Sequence, residues 1–379
     1  MKKIVIASDS FKGSLTSTEV AESAGRGILS VFPDCEIIKL AAADGGEGTS
    51  EAIIAARGGY FADAPAHDPL MRKITAAYGV TEGGFTAVID TAAASGLYRL
   101  EKGERNPMKT TTYGTGELIL HALEAGCRRI ILGTGGSATN DAGAGLLKAL
   151  GYKFPDARGK ELGYGGEILG KIESISGNGI PPEFSGTEFI IAYDVSNPFF
   201  GAGGSAHVYA PQKGADAATV EALDRGMKHF AGILERIYGI AVNNIAGAGS
   251  AGGTAGTLHA VLGAKLMPGA RYVLDTAGLS EALRDADMVI TGEGRIDRQT
   301  LSGKVPAEVL RFAREAGVPA AVIAGAVEDT ESLENAGFAF IRDINDGYSG
   351  SGNVMAKDTA SLNIERTISV MMRDIGKNI

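Results

Sequence analysis

The stretch Lys3-Ile4-Val5-Ile6-Ala7-Ser8-Asp9-Ser10-Phe11-Lys12-Gly13-Ser14-Leu15-Thr16 decides the fold. Its apolar half is nearly continuous and rich in Ile and Val, which reads as a strand buried on both faces and not as one alternating between core and solvent. Polar residues and a glycine then turn the chain into a Ser/Thr-rich helix start. Similar short apolar runs lie at residues 36–40, 85–90, 129–132, 189–193, 288–290, 320–323 and 338–341. Helical patterns separate many of them, at 18–29, 51–56, 116–123, 144–150, 217–237 and 307–315. This alternation predicts an α/β architecture with largely parallel sheets.

The two ends of the chain alternate more cleanly than its middle, where residues 151–186 are rich in Gly, Pro and charge. Residues 1–64 and 285–379 are therefore expected to build one discontinuous, doubly wound parallel sheet, with residues 65–284 inserted as a second α/β domain. Strands beginning near Lys3, Glu36, Met288, Ala320 and Phe338 should lie in the spatial order 2-1-3-4-5.

Composition narrows the function. Of 379 residues, 44% are hydrophobic and 21% charged, ordinary for a globular protein, but glycine (55 residues) is about twice its usual share. The glycines gather at the ends of apolar runs, where a chain turns tightly or lets another group approach its backbone. A net charge of −9, no Trp and no basic stripe argue against a nucleic-acid partner. An anionic ligand would have to be held by a few local cations working against the global field. Cys35 and Cys127 form no CxxC motif, which predicts a reduced, cytoplasmic setting. The apolar run after Lys2 and Lys3 stops at Asp9, too short for a secretory signal, and no run is long enough to span a membrane. A homodimer is compatible with the sequence.

Chemistry concentrates at the strand ends, where ligands bind in open α/β sheets. Asp9-Ser10-Phe11-Lys12-Gly13-Ser14 suits an oxyanion or phosphate, against the plainer reading of a turn with Thr16 or Ser17 as helix cap. Asp44-Gly45-Gly46-Glu47-Gly48 allows close backbone approach, and its carboxylates could hold Mg²⁺ or accept from a hydroxyl; the alternative is a flexible turn. Gly133-Thr134-Gly135-Gly136-Ser137-Ala138-Thr139-Asn140-Asp141, between a strand and a helix, could cradle phosphate, although it is neither a Walker A nor a G-x-G-x-x-G motif. Asp194, just after a strand, is placed as metal ligand or general base, or else merely opens an Asx-turn into Pro198. The glycine-dense run 247–256 is uncharged and fits helix packing as well as nucleotide contact. Thr291-Gly292-Glu293-Gly294-Arg295-Ile296-Asp297, followed by Lys304, offers a guanidinium fork and a point charge, or an exposed Arg–Asp turn. His67, His121, His207, His229 and His259 show no metal-ligand spacing, and there is no G-x-S-x-G elbow.

Taken in order, these segments resemble the bacterial type I glycerate kinases. The resemblance also includes Gly114-Thr115-Gly116-Glu117-Leu118-Ile119 and Pro211-Gln212-Lys213-Gly214-Ala215, so it covers essentially the whole chain. Ser196 stands at a position that varies in the family, and Tyr193 where a cysteine is common. The resemblance implies a flavodoxin-like domain carrying an inserted α/β domain. It also implies ATP- and Mg²⁺-dependent phosphorylation of D-glycerate, usually at the 2-hydroxyl, and a place in glyoxylate, glucarate or galactarate breakdown. Phosphoryl transfer asks a protein for positioning and charge stabilisation, which glycine loops, carboxylates and a few cations supply. Alternatives are a glycerate 3-kinase, a non-catalytic sugar-acid-binding regulator, or another enzyme of phosphorylated metabolites.

On this reading Asp194 and Lys12 are catalytic, and Asp9, Ser10, Arg295, Asp297 and Asn197 bind substrate. Gly135, Gly136, Ser137, Thr139, Asn140 and Lys304 hold nucleotide phosphate, and Asp44, Glu47 and Asp194 are the candidate Mg²⁺ ligands.

Overall fold

A computed structural model describes residues 1–177, 184, 186–301, 303–348 and 353–377, the side chains of Arg298 and Gln299 excepted. In chain order its strands are β1 (Lys3–Ser8), β2 (Glu36–Ala41), β3 (Tyr60–His67), β4 (Lys73–Thr81), β5 (Thr86–Asp90), β6 (Arg129–Gly133), β7 (Glu188–Tyr193), β8 (Lys265–Pro268), β9 (Met288–Glu293), β10 (Ala320–Ala324) and β11 (Phe340–Asp343). The chain divides into two units, one of residues 1–44, 51–56 and 270–379, the other of 45–50 and 57–269.

The first unit holds a five-stranded sheet in the order β11-β10-β9-β1-β2 with every pairing parallel. Numbered within the unit and read from the β2 edge, that is 2-1-3-4-5, the order expected from the sequence. The continuous apolar runs have the anticipated cause. Ile4, Ile6, Ile290 and Ile323 face one core, and Val5, Ala7, Val289 and Val322 face another on the opposite side. The helix Ser17–Leu29 covers the first face, entered through a capping box in which Thr16 Oγ1 accepts from Glu19 N (3.2 Å) and Glu19 Oε2 accepts from Thr16 N (2.9 Å). The C-terminal helix Lys357–Gly376 packs beside it so closely that a Cβ on Gly27 would meet Ile368 Cβ at 2.8 Å. The helix Val305–Ala316 closes the opposite face through Val309, Phe312 and Ala313.

The second unit holds a six-stranded sheet, β3-β4-β5-β6-β7-β8, in which β5 to β8 run parallel and β3 and β4 antiparallel. Its longest helix, Ala217–Tyr238, starts at an Asp216 cap accepting from Thr219 N (2.8 Å) and stops at Gly239 in the left-handed region (φ 72°). Val220, Leu223, Met227, Phe230 and Leu234 recur at helical spacing on its buried face. Each such side chain contributes about 1.5–3 kcal/mol on burial.

The boundaries fall elsewhere than the expected 64 and 285. Residues 60–64 belong to β3, which among the described residues pairs only with β4 and so goes with the second sheet. Residues 270–283 form the helices Gly269–Thr276 and Leu279–Ala282, whose Ala270, Leu274, Leu279 and Ala282 fill a core of the first unit.

Candidate active site

In the first unit, the loops that follow β1, β9 and β10 line a pocket of about 420 Å³. Asp9, Ser10, Lys12, Glu293, Arg295 and Lys304 lie on its wall. Asp9 is only 4% exposed; its amide donates to Gly292 O (2.9 Å) and its Oδ1 accepts from Ser10 N (2.7 Å). Burial, followed by the negative charge of Asp44, pushes its carboxyl up to about 7, against the pull of Lys12. Glu293 is also raised by burial, although Thr300 Oγ1 donates to it and Lys304 Nζ lies 3.4 Å from its Oε2. Lys12 is largely exposed, with Nζ 3.7 Å from Asp44 Oδ2. Arg295 is exposed too, and Nη2 donates to Glu328 Oε1 at 2.5 Å. Asp297 serves the loop itself, its amide donating to Thr300 Oγ1 (3.2 Å).

In the second unit, a pocket of about 110 Å³ opens over the turn after β6. Gly135, Gly136, Ser137 and Asp194 line it. Asp194 Oδ1 accepts from Ser250 Oγ (2.9 Å) and lies 3.5 Å from Thr134 Oγ1, and the two hydroxyls are themselves 2.7 Å apart. The uncharged glycine run therefore does two things. Ser250 orients the carboxylate, and Gly253 lets Phe199 and Met227 pack where a Cβ would sit within 2.9 Å of each.

Gly45 and Gly135 are needed for approach by protein. A Cβ on Gly45 would lie 2.9 Å from Ala192 O, and one on Gly135 would lie 2.3 Å from Gly46 Cα; Gly45 O also accepts from Thr134 N (2.8 Å). Thr139 and Asn140, expected at the phosphate, are fully buried instead: Thr139 O accepts from Lys213 Nζ (2.7 Å) and Asn140 Nδ2 meets Met227 Sδ (3.0 Å). Asp141 anchors the end of the turn, accepting from Thr112 N (2.8 Å), Thr112 Oγ1 (2.9 Å) and Gly145 N (3.2 Å); burial raises its carboxyl and these donors lower it. Asn197 is likewise held within the fold, by Tyr209 OH (2.6 Å) and Gly203 O (2.9 Å).

The fold thus groups Asp9, Ser10, Lys12, Arg295 and Lys304 at one pocket and Gly135, Gly136, Ser137 and Asp194 at the other. Asp44 belongs to the first unit, and Glu47, exposed, to the second. Lys213 also lines the second pocket. Sequence reasoning does not single it out; it appears there only inside a segment of family resemblance. Burial lowers its ammonium to about 8, against the nearby charges of Asp194 and Asp141. Among the described residues no three His, Cys, Asp or Glu side chains gather as a metal cluster, and no helix is long and apolar enough to cross a membrane.

Residues 4–376 match the model of the glycerate kinase family. The chain belongs to the glycerate kinase family. It is 41% identical to glycerate 2-kinase of Escherichia coli K12 over 99% of this chain and 100% of the relative. It is 45% identical to glycerate kinase of Bacillus subtilis 168 over 86% of this chain and 85% of that one. A crystal structure of a provisionally assigned glycerate kinase 2 from Salmonella typhimurium LT2 superposes with a TM-score of 0.86 at 40% identity, covering all of both chains. Membership makes the protein a kinase, an enzyme of the transferase class. Both pockets stand on loops at the carboxyl ends of parallel strands, as a ligand site in such sheets should.

Proposed function

We propose that this glycerate kinase transfers the γ-phosphoryl group of ATP to the 2-hydroxyl of D-glycerate, releasing ADP and 2-phosphoglycerate. The observation that carries the reading is the full-length similarity to glycerate 2-kinase, which takes in every strand-end loop described above. The reaction needs a base or positioner for the hydroxyl, cations for the migrating phosphoryl group, and donors that fix the substrate carboxylate. Asp194, aimed by Ser250 and Thr134, takes the first role. Lys12 acts on the transferred group, with Lys304 as alternate, and Arg295 receives the carboxylate, with Asp9 and Ser10 beside it.

The donors available for a metal are carboxylate oxygens, which fits Mg²⁺, an ion that keeps several waters and takes one or two carboxylates beside substrate phosphates. Asp44, Glu47 and Asp194 are the candidates from which its one or two carboxylates would come, and when bound it would neutralise phosphate charge. The setting is the cytoplasm, and the chain itself needs no further cofactor.

Purified enzyme with Mg-ATP is expected to convert D-glycerate to 2-phosphoglycerate, measured by coupled ADP release and by identifying the product. No ADP from either enantiomer of glycerate sinks the reading; 3-phosphoglycerate as sole product sinks only the position of transfer.

The cations can be separated kinetically. Arg295→Lys keeps charge but loses the two-pronged fork that matches a carboxylate, so KM for glycerate should rise by about tenfold with kcat little changed. Lys12→Ala should chiefly lower kcat, because charge on the migrating group counts most in the transition state. An effect of Arg295→Lys confined to KM for ATP would exchange the two assignments.

A further inference from the structure

Lys213 is 3% exposed, yet its two hydrogen bonds go to neutral oxygens: Ser137 Oγ at 3.0 Å and Thr139 O at 2.7 Å. An ammonium has three N–H donors, so one remains. Among the described residues no carboxylate forms an ion pair with it; Asp194 and Asp141 act on it only from longer range. Burying a cation with no carboxylate in contact with it is costly, and a bound anion would supply the charge that Asp194 and Asp141 provide only without contact.

The surroundings indicate what that is. Lys213 lines the pocket of about 110 Å³ together with Gly135, Gly136 and Ser137. A rigid ammonium pinned at two points, by Ser137 Oγ and Thr139 O, is already oriented before anything binds.

We propose that Lys213 is a phosphate-holding residue of the kinase, its ammonium receiving a phosphate group at the turn Gly135–Ser137. The inference rests on the reading of the protein as an ATP-dependent kinase, and the nucleotide's phosphate chain is the ligand it favours. Lys213 also ties Ser137 and Thr139 together, so it positions the turn as well as charging it.

The test separates these two roles with Lys213→Gln, which retains a donor for Ser137 and Thr139 but carries no charge, and with Lys213→Arg, which restores charge. Tripolyphosphate and 2-phosphoglycerate are titrated calorimetrically into full-length enzyme, and KM is measured for ATP and for glycerate. Lys213→Gln is expected to weaken tripolyphosphate binding and raise KM for ATP by about tenfold or more, the scale of one charge-assisted hydrogen bond. KM for glycerate should stay within about twofold, and Lys213→Arg should recover part of the loss. A loss confined to 2-phosphoglycerate keeps the phosphate assignment and moves it to the product. Unchanged binding of both anions in Lys213→Gln, or an equal rise in KM for ATP and glycerate, overturns the proposal in favour of a purely structural lysine. Wild-type enzyme that binds tripolyphosphate through Lys213 but never phosphorylates glycerate refutes the proposed function alone.

Discussion

Asp194→Asn is expected to lower kcat by about 10²-fold or more, the scale on which a positioned acid or base contributes. The substitution preserves shape, and an amide oxygen can still accept from Ser250 Oγ, which lies 2.9 Å from Oδ1 in the native protein. What it removes is the negative charge. If Asp194 takes the proton of the attacking hydroxyl, kcat falls at every Mg²⁺ concentration, with KM for ATP little affected. If it is instead a ligand to the metal, raising Mg²⁺ should restore part of the rate, because an amide oxygen still coordinates, only more weakly. Steady-state rates across a Mg²⁺ series distinguish the two. Near-normal turnover throughout would remove Asp194 from the reaction and leave the hydroxyl's partner among the carboxylates of the first unit.

How far the sequence alone leads depends on the physical origin of each feature. The sheet of the first unit is legible because β1, β9 and β10 are buried on both faces, which demands continuous apolar residues. The hairpin of β3 and β4 is not. Tyr60-Phe61-Ala62-Asp63-Ala64-Pro65-Ala66-His67 exposes Tyr60 and Phe61 and buries only small alanines, and a proline sits inside it. Pro65 is tolerated because β3 is an edge strand, with β4 as its one partner among the described residues.

The glycine-rich loops show a different limit. Sequence says that something must approach the backbone at Gly45 and Gly46, and the approaching groups prove to be protein: Ala192 O beside Gly45 and Gly135 beside Gly46. Lys213 is hidden in the sequence because its partners, Ser137 and Thr139, are remote along the chain, while an isolated lysine beside a glycine has no distinguishing local pattern. Thr139 and Asn140 show the complementary case: polar residues in a glycine loop look exposed in sequence, and only the packing beneath the turn reveals that both are buried.

Asp9→Asn is expected to stabilise the free enzyme while impairing it. The carboxyl of Asp9 is pushed from its ordinary 3.8 up to about 7, first by burial and then by the charge of Asp44. An acid whose folded pKa lies above its unfolded value is neutral in both states at low pH and then costs nothing. As pH rises from 3.8 towards about 7, the unfolded chain ionises while the folded one resists, so the penalty grows; above about 7 it is constant. Each tenfold change in proton affinity is worth about 1.4 kcal/mol, which puts the full penalty on the order of a few kcal/mol. Asparagine never ionises, and its Oδ1 can keep the bond from Ser10 N. The gain in thermal midpoint over wild type should therefore be larger at pH 8 than at pH 5, measured by melting curves of both proteins in matched ionic strength. An equal or lower midpoint for Asp9→Asn at pH 8 would mean that the carboxylate is compensated within the fold. A gain accompanied by a fall in kcat/KM for glycerate of about tenfold or more would show why the penalty is retained. Two close acids, Asp9 and Asp44, sit beside the exposed charge of Lys12 and are arranged for a charged ligand at the expense of the free protein. Bound substrate or metal should then erase most of the pH 8 difference in wild-type stability, because it supplies the counter-charge that Lys12, 3.7 Å from Asp44 and largely exposed, provides only in part.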